Sequence, residues 1–203
     1  MKRILFTQRV DVIESYHERR DCADQSIASF IDACGYLPIP VPNNPKAVSE
    51  LLKDIEVSGI VFSGGNNLMS YGGDAPERDE TERILLKHAI QNKIPVYGFC
   101  RGMQFILDYF GYPLTKVQNH VAVKHEVNGT LGKRIVNSYH GYGCLKDQFQ
   151  KNGELQVLAR SNDGVVEAVK HVSLPIVGTM WHPERNQPFE QEDINSVKEL
   201  MGE

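Results

Sequence analysis

Four short apolar runs, Arg3–Thr7 (RILFT), Tyr36–Pro42 (YLPIPVP), Gly59–Gly65 (GIVFSGG) and Ile94–Phe99 (IPVYGF), recur through the first half of the chain with helical-period segments between them. This alternation restricts the fold more than any other feature. Strands separated by helices pair in parallel, and a parallel sheet needs helices on both faces. Helices are expected over about Arg19–Cys34, over Pro45–Ile55, over Glu77–Asn92 and from Arg101 to Gly111. In the first, Ala23, Ile27, Phe30 and Ile31 share a face and Gly35 closes the C-terminus; in the third, Ile84, Leu85, Ala89 and Ile90 form the apolar face. The prolines of the Tyr36–Pro42 run put it at the end or edge of the sheet.

The second half has a different pattern. KHEVNGTLGKRIV, LQVLARSNDGVVEAVK and LPIVGTMWHP read as short strands joined by turns, with hairpin signals at Asn128-Gly129 and Asp163-Gly164. A surface helix is expected over about Glu190–Met201. Without an internal repeat or low-complexity linker, the 203 residues are expected to form a single domain, 1–203. Its class is α/β: a flavodoxin-like, doubly wound, mostly parallel sheet with helices on both faces and an added antiparallel hairpin region.

Composition removes several function classes. With 22 basic against 26 acidic residues and a net charge of −4, the chain lacks the basic stripe of a nucleic-acid binder, though this leaves room for a local basic pocket. The N-terminal apolar stretch, Ile4–Phe6, is too short for a secretory signal, and no segment approaches membrane-spanning length. The four cysteines, Cys22, Cys34, Cys100 and Cys144, form no C-x-x-C pair and have no histidine at zinc-finger spacing. Reduced thiols and a cytoplasmic enzyme without nucleic-acid or membrane partners are the expectation.

Gly98-Phe99-Cys100-Arg101-Gly102 is a G-x-C-x-G pattern at a strand end and helix start, the thiol counterpart of the G-x-S-x-G nucleophile elbow. Glycines on either side permit a sharp turn. The following helix places partial positive charge near the sulfur, and the Arg101 N–H can face a developing oxyanion. A buried, inert cysteine is the competing reading, and a partner base separates the two. Of seven histidines, His182 stands out, because in an extended chain through Pro183 it and Glu184 point to the same side. That placement lets the carboxylate hold one ring nitrogen while the other serves the thiol. Gly64-Gly65 ends another strand, where a backbone without Cβ atoms can approach a substrate closely.

GFCRGMQ together with WHPE resembles the class I glutamine amidotransferase-like superfamily, and more narrowly its γ-glutamyl hydrolase, peptidase C26-like branch. YHERRDCADQSIASFIDACGYLPIPVPN, FSGGNNLMSYGGDAPERDETE, VNSYHGYG and NDGVVEAV resemble further landmarks of that branch in the same order. The resemblance implies a triad of Cys100, His182 and Glu184, with an oxyanion hole of the Gly65 and Arg101 N–H groups. It also implies a pocket in which Gln104 holds the α-amino and α-carboxylate end of a γ-glutamyl group. Asn67 belongs to the same set, and Tyr139, His140, Gly141 and Tyr142 form the facing wall. Tyr142 stands where the branch commonly has Gln, which bears on the amine side of the substrate. The His140 side chain either contacts substrate or satisfies its own loop.

His120, His125 and Glu126 match no common metal-ligand spacing, so neither a metal nor another cofactor is expected. Arg101, Lys124, Lys133, Arg134 and Arg185 are either solvated surface charges or partners for a phosphorylated leaving group. The implied reaction is cysteine-dependent hydrolysis of a γ-glutamyl amide through a thioester, releasing glutamate from a small, anionic substrate such as a γ-glutamyl nucleotide amidate. The alternatives are a γ-glutamyl-γ-aminobutyrate-type conjugate, a glutaminase subunit feeding a separate synthetase, and a catalytically silent binding or redox-sensing relative.

Overall fold

The computed structural model describes residues 1–130, 132–149 and 153–202. In chain order the first half runs β1 (Arg3–Phe6), β2 (Arg9–Ile13), β3 (Glu18–Cys22), α1 (Gln25–Ala33), β4 (Leu37–Pro40), α2 (Pro45–Asp54), β5 (Gly59–Phe62), α3 (Pro76–Asn92), β6 (Val96–Phe99) and α4 (Arg101–Tyr109). The second half adds β7 (Thr115–Lys116), β8 (Val121–Gly129), β9 (Gly132–Tyr139), β10 (Tyr142–Gly143), β11 (Leu155–Ser161), β12 (Val166–His171), β13 (Ile176–Thr179) and α5 (Gln191–Leu200).

A nine-stranded sheet in the order β4-β1-β5-β6-β13-β12-β11-β8-β9 organises the molecule. The strands β4, β1, β5, β6 and β13 are mutually parallel, and β13 through β9 continue antiparallel. Alternation along each central strand explains why both faces carry helices. Leu5, Ile60 and Phe62 pack under α2, α3 and α4 beside Val48, Leu85 and Ile106. Ile4, Phe6, Val61 and Tyr97 face α1 and α5, beside Ile27, Phe30 and Val197. This is the doubly wound α/β sheet with an antiparallel extension that the sequence predicts. The hairpin reversal at Asp163-Gly164 is present, with Gly164 at φ 90°. Asn128 and Gly129 still pair with Lys133 and Gly132, so that reversal falls one step later, around Leu131, outside the described residues.

The first helix is shorter than its sequence predicts. Glu18–Cys22 is a strand that pairs antiparallel with Arg9–Ile13 as a separate two-stranded ribbon. Asp24 then starts α1 by accepting a hydrogen bond from the Ser26 N–H at 2.9 Å, a side-chain cap that fixes the helix start beyond the charged stretch. Cys22 is therefore a ribbon residue rather than a helical one. Among the described residues no helix is long and apolar enough to cross a membrane.

Candidate active site

Cys100 sits between β6 and α4 with φ 52° and ψ −110°, a strained conformation for a residue with a Cβ. Its N–H donates to the Thr179 carbonyl at 2.8 Å, and its carbonyl accepts from the Gln104 N–H at 3.0 Å. The turn is possible because of its glycines. A Cβ on Gly102 would stand 2.1 Å from the Phe62 carbonyl oxygen, and one on Gly98 would stand 2.8 Å from the Gly102 carbonyl. Backbone packs directly on backbone here, and the sulfur is carried to the carboxyl end of the parallel strands.

His182 follows β13, the neighbour of β6. Its Nδ1 lies 2.7 Å from Glu184 Oε1, with both side chains buried. The chain does not stay extended: Pro183–Arg185 is a single 3₁₀ turn, and that turn delivers the carboxylate to the ring. Asn137 clamps the His182 backbone from β9, accepting its N–H and donating to its carbonyl, each at 2.8 Å. Nothing local in the sequence marks Asn137 for this task. Burial works against a charge on His182, but the Cys100 sulfur, as a thiolate, and the Glu184 carboxylate outweigh it and push the imidazole up to about 9. A thiol beside an imidazole that is oriented by a carboxylate can serve as a nucleophile with its own acid–base partner.

Gly64 and Gly65 face this group. A Cβ on Gly64 would come 2.8 Å from His182 Cε1 and 3.7 Å from the Cys100 Cβ, and Gly65 holds φ at 85°. The buried Arg78 guanidinium donates to three successive carbonyls, those of Ser63, Gly64 and Gly65, at 2.8, 2.9 and 2.8 Å. In a trans peptide the N–H opposes the carbonyl, so holding the Gly64 carbonyl turns the Gly65 N–H away from Arg78. Glu82 anchors the arrangement. It lies 3.1 Å from Arg78 Nε, accepts from the Thr7 hydroxyl at 2.8 Å and pairs with Arg101. Burial, reinforced by the nearby Arg101 charge, brings Arg78 down to about 10, still far above neutral pH.

The Arg101 side chain is thereby committed. It is buried between Glu82 and Asp79, so it does not reach out to a phosphate, and only its backbone remains for a reaction. Lys124, Lys133 and Arg134 line neither of the two cavities beside Cys100 and His182. Lys133 pairs with Glu126, and Arg134 with Glu190, Glu192 and Asp193.

A cavity of about 550 Å³ brings together Cys100, Gln104, Gly65 and Asn67 with the Tyr139–Gly141 wall. Tyr142 is not part of its lining. Its carbonyl instead holds the Gln104 amide NH₂ at 3.0 Å from behind, so it acts on the cavity through Gln104. Both ring nitrogens of His140 are engaged within its own surroundings, Nδ1 with the Tyr142 carbonyl at 3.0 Å. A second cavity, of about 300 Å³, has Gly65 in common and is lined by His182, Glu184, Arg185, Arg9 and Cys22. Arg185 therefore faces the opposite side from Gln104, with its guanidinium 4.3 Å above the Tyr139 ring.

Sheet order and elbow together are those of the glutamine amidotransferase-like α/β class. A solved GMP synthase glutaminase-type chain from Thermoplasma acidophilum superimposes with a TM-score of 0.71 at 19% identity, covering 100% of this chain and 94% of that one. The chain belongs to the Peptidase C26 family, which it matches over residues 6–184. It is 33% identical over 183 residues to a γ-glutamyl-CDP-amidate hydrolase of Campylobacter jejuni, covering 88% of each chain. A γ-glutamyl-γ-aminobutyrate hydrolase of Escherichia coli O157:H7 is 29% identical over 212 residues, with 84% of this chain and 81% of that one covered. The glutamine-hydrolysing GMP synthase subunit of Methanococcus aeolicus is 28% identical over 157 residues, covering 73% and 77%.

Proposed function

We propose that this chain hydrolyses a γ-glutamyl amide through a thioester on Cys100. The observation that carries the reading is the buried His182–Glu184 pair beside Cys100, at the edge of a cavity that ends on Gln104. The Cys100 thiolate attacks the γ-carbonyl carbon, and the oxyanion rests on the Gly65 and Arg101 N–H groups. His182 gives its proton to the leaving nitrogen as the C–N bond breaks. It then takes a proton from water, which cleaves the thioester and frees glutamate and thiolate. Gln104, its NH₂ tied to Tyr142, offers its carbonyl oxygen to the substrate's α-ammonium. Every step is carried by side chains and backbone of this chain.

The leaving group lies toward the second cavity, where Arg9 and Arg185 supply the cations. Together with the similarity to the Campylobacter jejuni enzyme, these arginines favour a γ-glutamyl nucleotide amidate: γ-glutamyl-CDP-amidate and water giving glutamate and cytidine diphosphoramidate. In a comparison of kcat/KM, this substrate is expected to exceed γ-glutamyl-γ-aminobutyrate and glutamine by about tenfold or more. Arg185→Gln should remove about tenfold for the diphosphate alone, the worth of one charge-assisted contact. A preference for the aminobutyrate conjugate would overturn the nucleotide assignment. Similarity to GMP synthase subunits favours a second reading, a glutaminase subunit, which predicts glutamine turnover that rises sharply only with a synthetase present.

The acid–base assignment has its own test. Because His182 must carry a proton to serve the leaving nitrogen, kcat/KM should fall on the alkaline side with an apparent pKa near 9. Glu184 is one of the groups that hold this value up, so Glu184→Gln should move the alkaline limb to lower pH and lower kcat. An unmoved limb would remove Glu184 from the assignment.

A further inference from the structure

A second polar cluster lies on the far side of the Tyr139–Tyr142 segment. His120, His140 and Glu167 are all buried, the last on β12 between apolar neighbours. His120 Nδ1, His140 Nε2 and Glu167 Oε1 stand 3.3, 3.4 and 3.3 Å apart around a common centre. His125 Nε2 approaches the other carboxylate oxygen at 3.5 Å, and donor atoms of His120, His125 and Glu167 all fall within 4.8 Å of one another. Glu126, the acidic residue adjacent to His125 in sequence, points elsewhere, to Lys133.

The outer hydrogen bonds fix what the inner atoms present. His120 Nε2 lies 2.9 Å from Asp163 Oδ2, an acceptor, so that nitrogen carries the ring proton and Nδ1 turns a lone pair inward. His140 Nδ1 likewise gives its proton to the Tyr142 carbonyl, leaving a lone pair on Nε2. Two lone pairs and a carboxylate therefore converge, and both Glu167 oxygens and His125 Nε2 are buried without a hydrogen-bond donor. Such a set of acceptors calls for a cation. Donors at about 2.0–2.1 Å from a tetrahedral zinc ion are separated by about 3.3–3.4 Å, which is the spacing found here. The histidine-to-carboxylate and histidine-to-carbonyl bonds are the outer support that metal-bound imidazoles use.

We propose that His120, His125, His140 and Glu167 form a structural site for a divalent transition metal of the zinc class. The half-exposed Asp163 side chain marks its solvent side. The ion would pin His140, and through the Tyr142 carbonyl it would brace Gln104 in the neighbouring cavity. That consequence for the pocket rests on the proposed hydrolase reading; the site itself does not.

The full-length protein, stripped with a chelator, should bind one equivalent of Zn²⁺ by calorimetry. With Co²⁺ it should show the intense visible ligand-field bands of a four-coordinate N₃O site. Zinc should raise Tm measurably. Glu167→Gln should lose the cobalt bands, and Asp163→Asn, outside the donor set, should weaken binding by about 10–100-fold. Circular dichroism on each variant separates lost binding from lost folding, and the half-exposed Asp163 gives a readout even where Glu167→Gln does not fold. Failure of the stripped wild-type protein to bind would overturn the proposal, leaving a cluster that holds a shared proton. Binding unchanged in a folded Glu167→Gln or in Asp163→Asn would also overturn it, assigning the metal to surface histidines.

Discussion

Replacing Cys100 by alanine is expected to lower kcat/KM for γ-glutamyl amide hydrolysis by about 10⁴-fold or more, the usual scale for loss of a nucleophile that works as one unit with its base. Folding should survive. Alanine keeps the Cβ, so the strained φ of 52° is no worse, and the removed sulfur belongs to a residue only 7% exposed at the rim of a cavity. A second effect accompanies the first: His182 loses the partner that contributes most to its raised pKa, and should titrate at lower pH in the variant. Cys144, buried in the core that also holds Met103 and Leu107 of α4 and absent from the lining of either cavity, is the matched control. Cys144→Ala should leave kcat/KM near the wild-type value. Activity persisting in Cys100→Ala across a panel of γ-glutamyl amides would end the thioester reading and favour a silent relative.

The second large effect concerns stability. Glu82→Gln should destabilise the fold by about 3–5 kcal/mol, the cost of breaking a buried ion pair from one side. Glu82 is fully buried and bridges Arg78, Arg101 and the Thr7 hydroxyl. Without its charge the Arg78 guanidinium keeps only carbonyl acceptors, and Arg101 keeps only Asp79. The exposed Arg83–Glu80 pair on the same helix is the contrast, since Glu80→Gln should change stability by well under 1 kcal/mol. Denaturant midpoints with unchanged m-values measure both. Because Arg78 holds the Ser63–Gly65 carbonyls, Glu82→Gln should also lower kcat beyond what its unfolded fraction explains. Equal midpoints for the two variants would mean that the buried network does not hold the turn.

What is readable in the sequence is local. The G-x-C-x-G elbow is legible because two glycines at fixed offsets are a steric requirement of one turn, and the alternation of strands and helices is legible because each element is a few residues long. His182 and Glu184 are two residues apart, so their association is readable even though a 3₁₀ turn, not an extended chain, joins them. The Arg78–Glu82–Arg101 network is not readable in this way. Charged residues at helical spacing look like a solvated face, and their burial comes from partners up to 75 residues away. The ribbon strand Glu18–Cys22 is wholly polar in pattern apart from its cysteine, so it carries no period-2 signal, and it pairs only because Arg9–Ile13 lies beside it. The reach of Arg101 is hidden for a related reason: the chain shows a free arginine, whereas the fold encloses it. Glu167 leaves one trace, a single charge within the apolar run VVEAV, and its histidine partners lie 27 to 47 residues upstream.

The central claim is a covalent glutamyl–Cys100 intermediate, and intact-protein mass spectrometry under rapid quench tests it most directly. Glu184→Gln, with His182 weakened as the base for the water step, is the form in which the thioester should accumulate. After mixing with the preferred γ-glutamyl amide, the protein should gain the mass of one glutamyl group. Peptide mapping should place that mass on the segment containing Cys100, and hydroxylamine should remove it. Steady turnover without any such adduct on Cys100, or an adduct that persists in Cys100→Ala, would contradict the account.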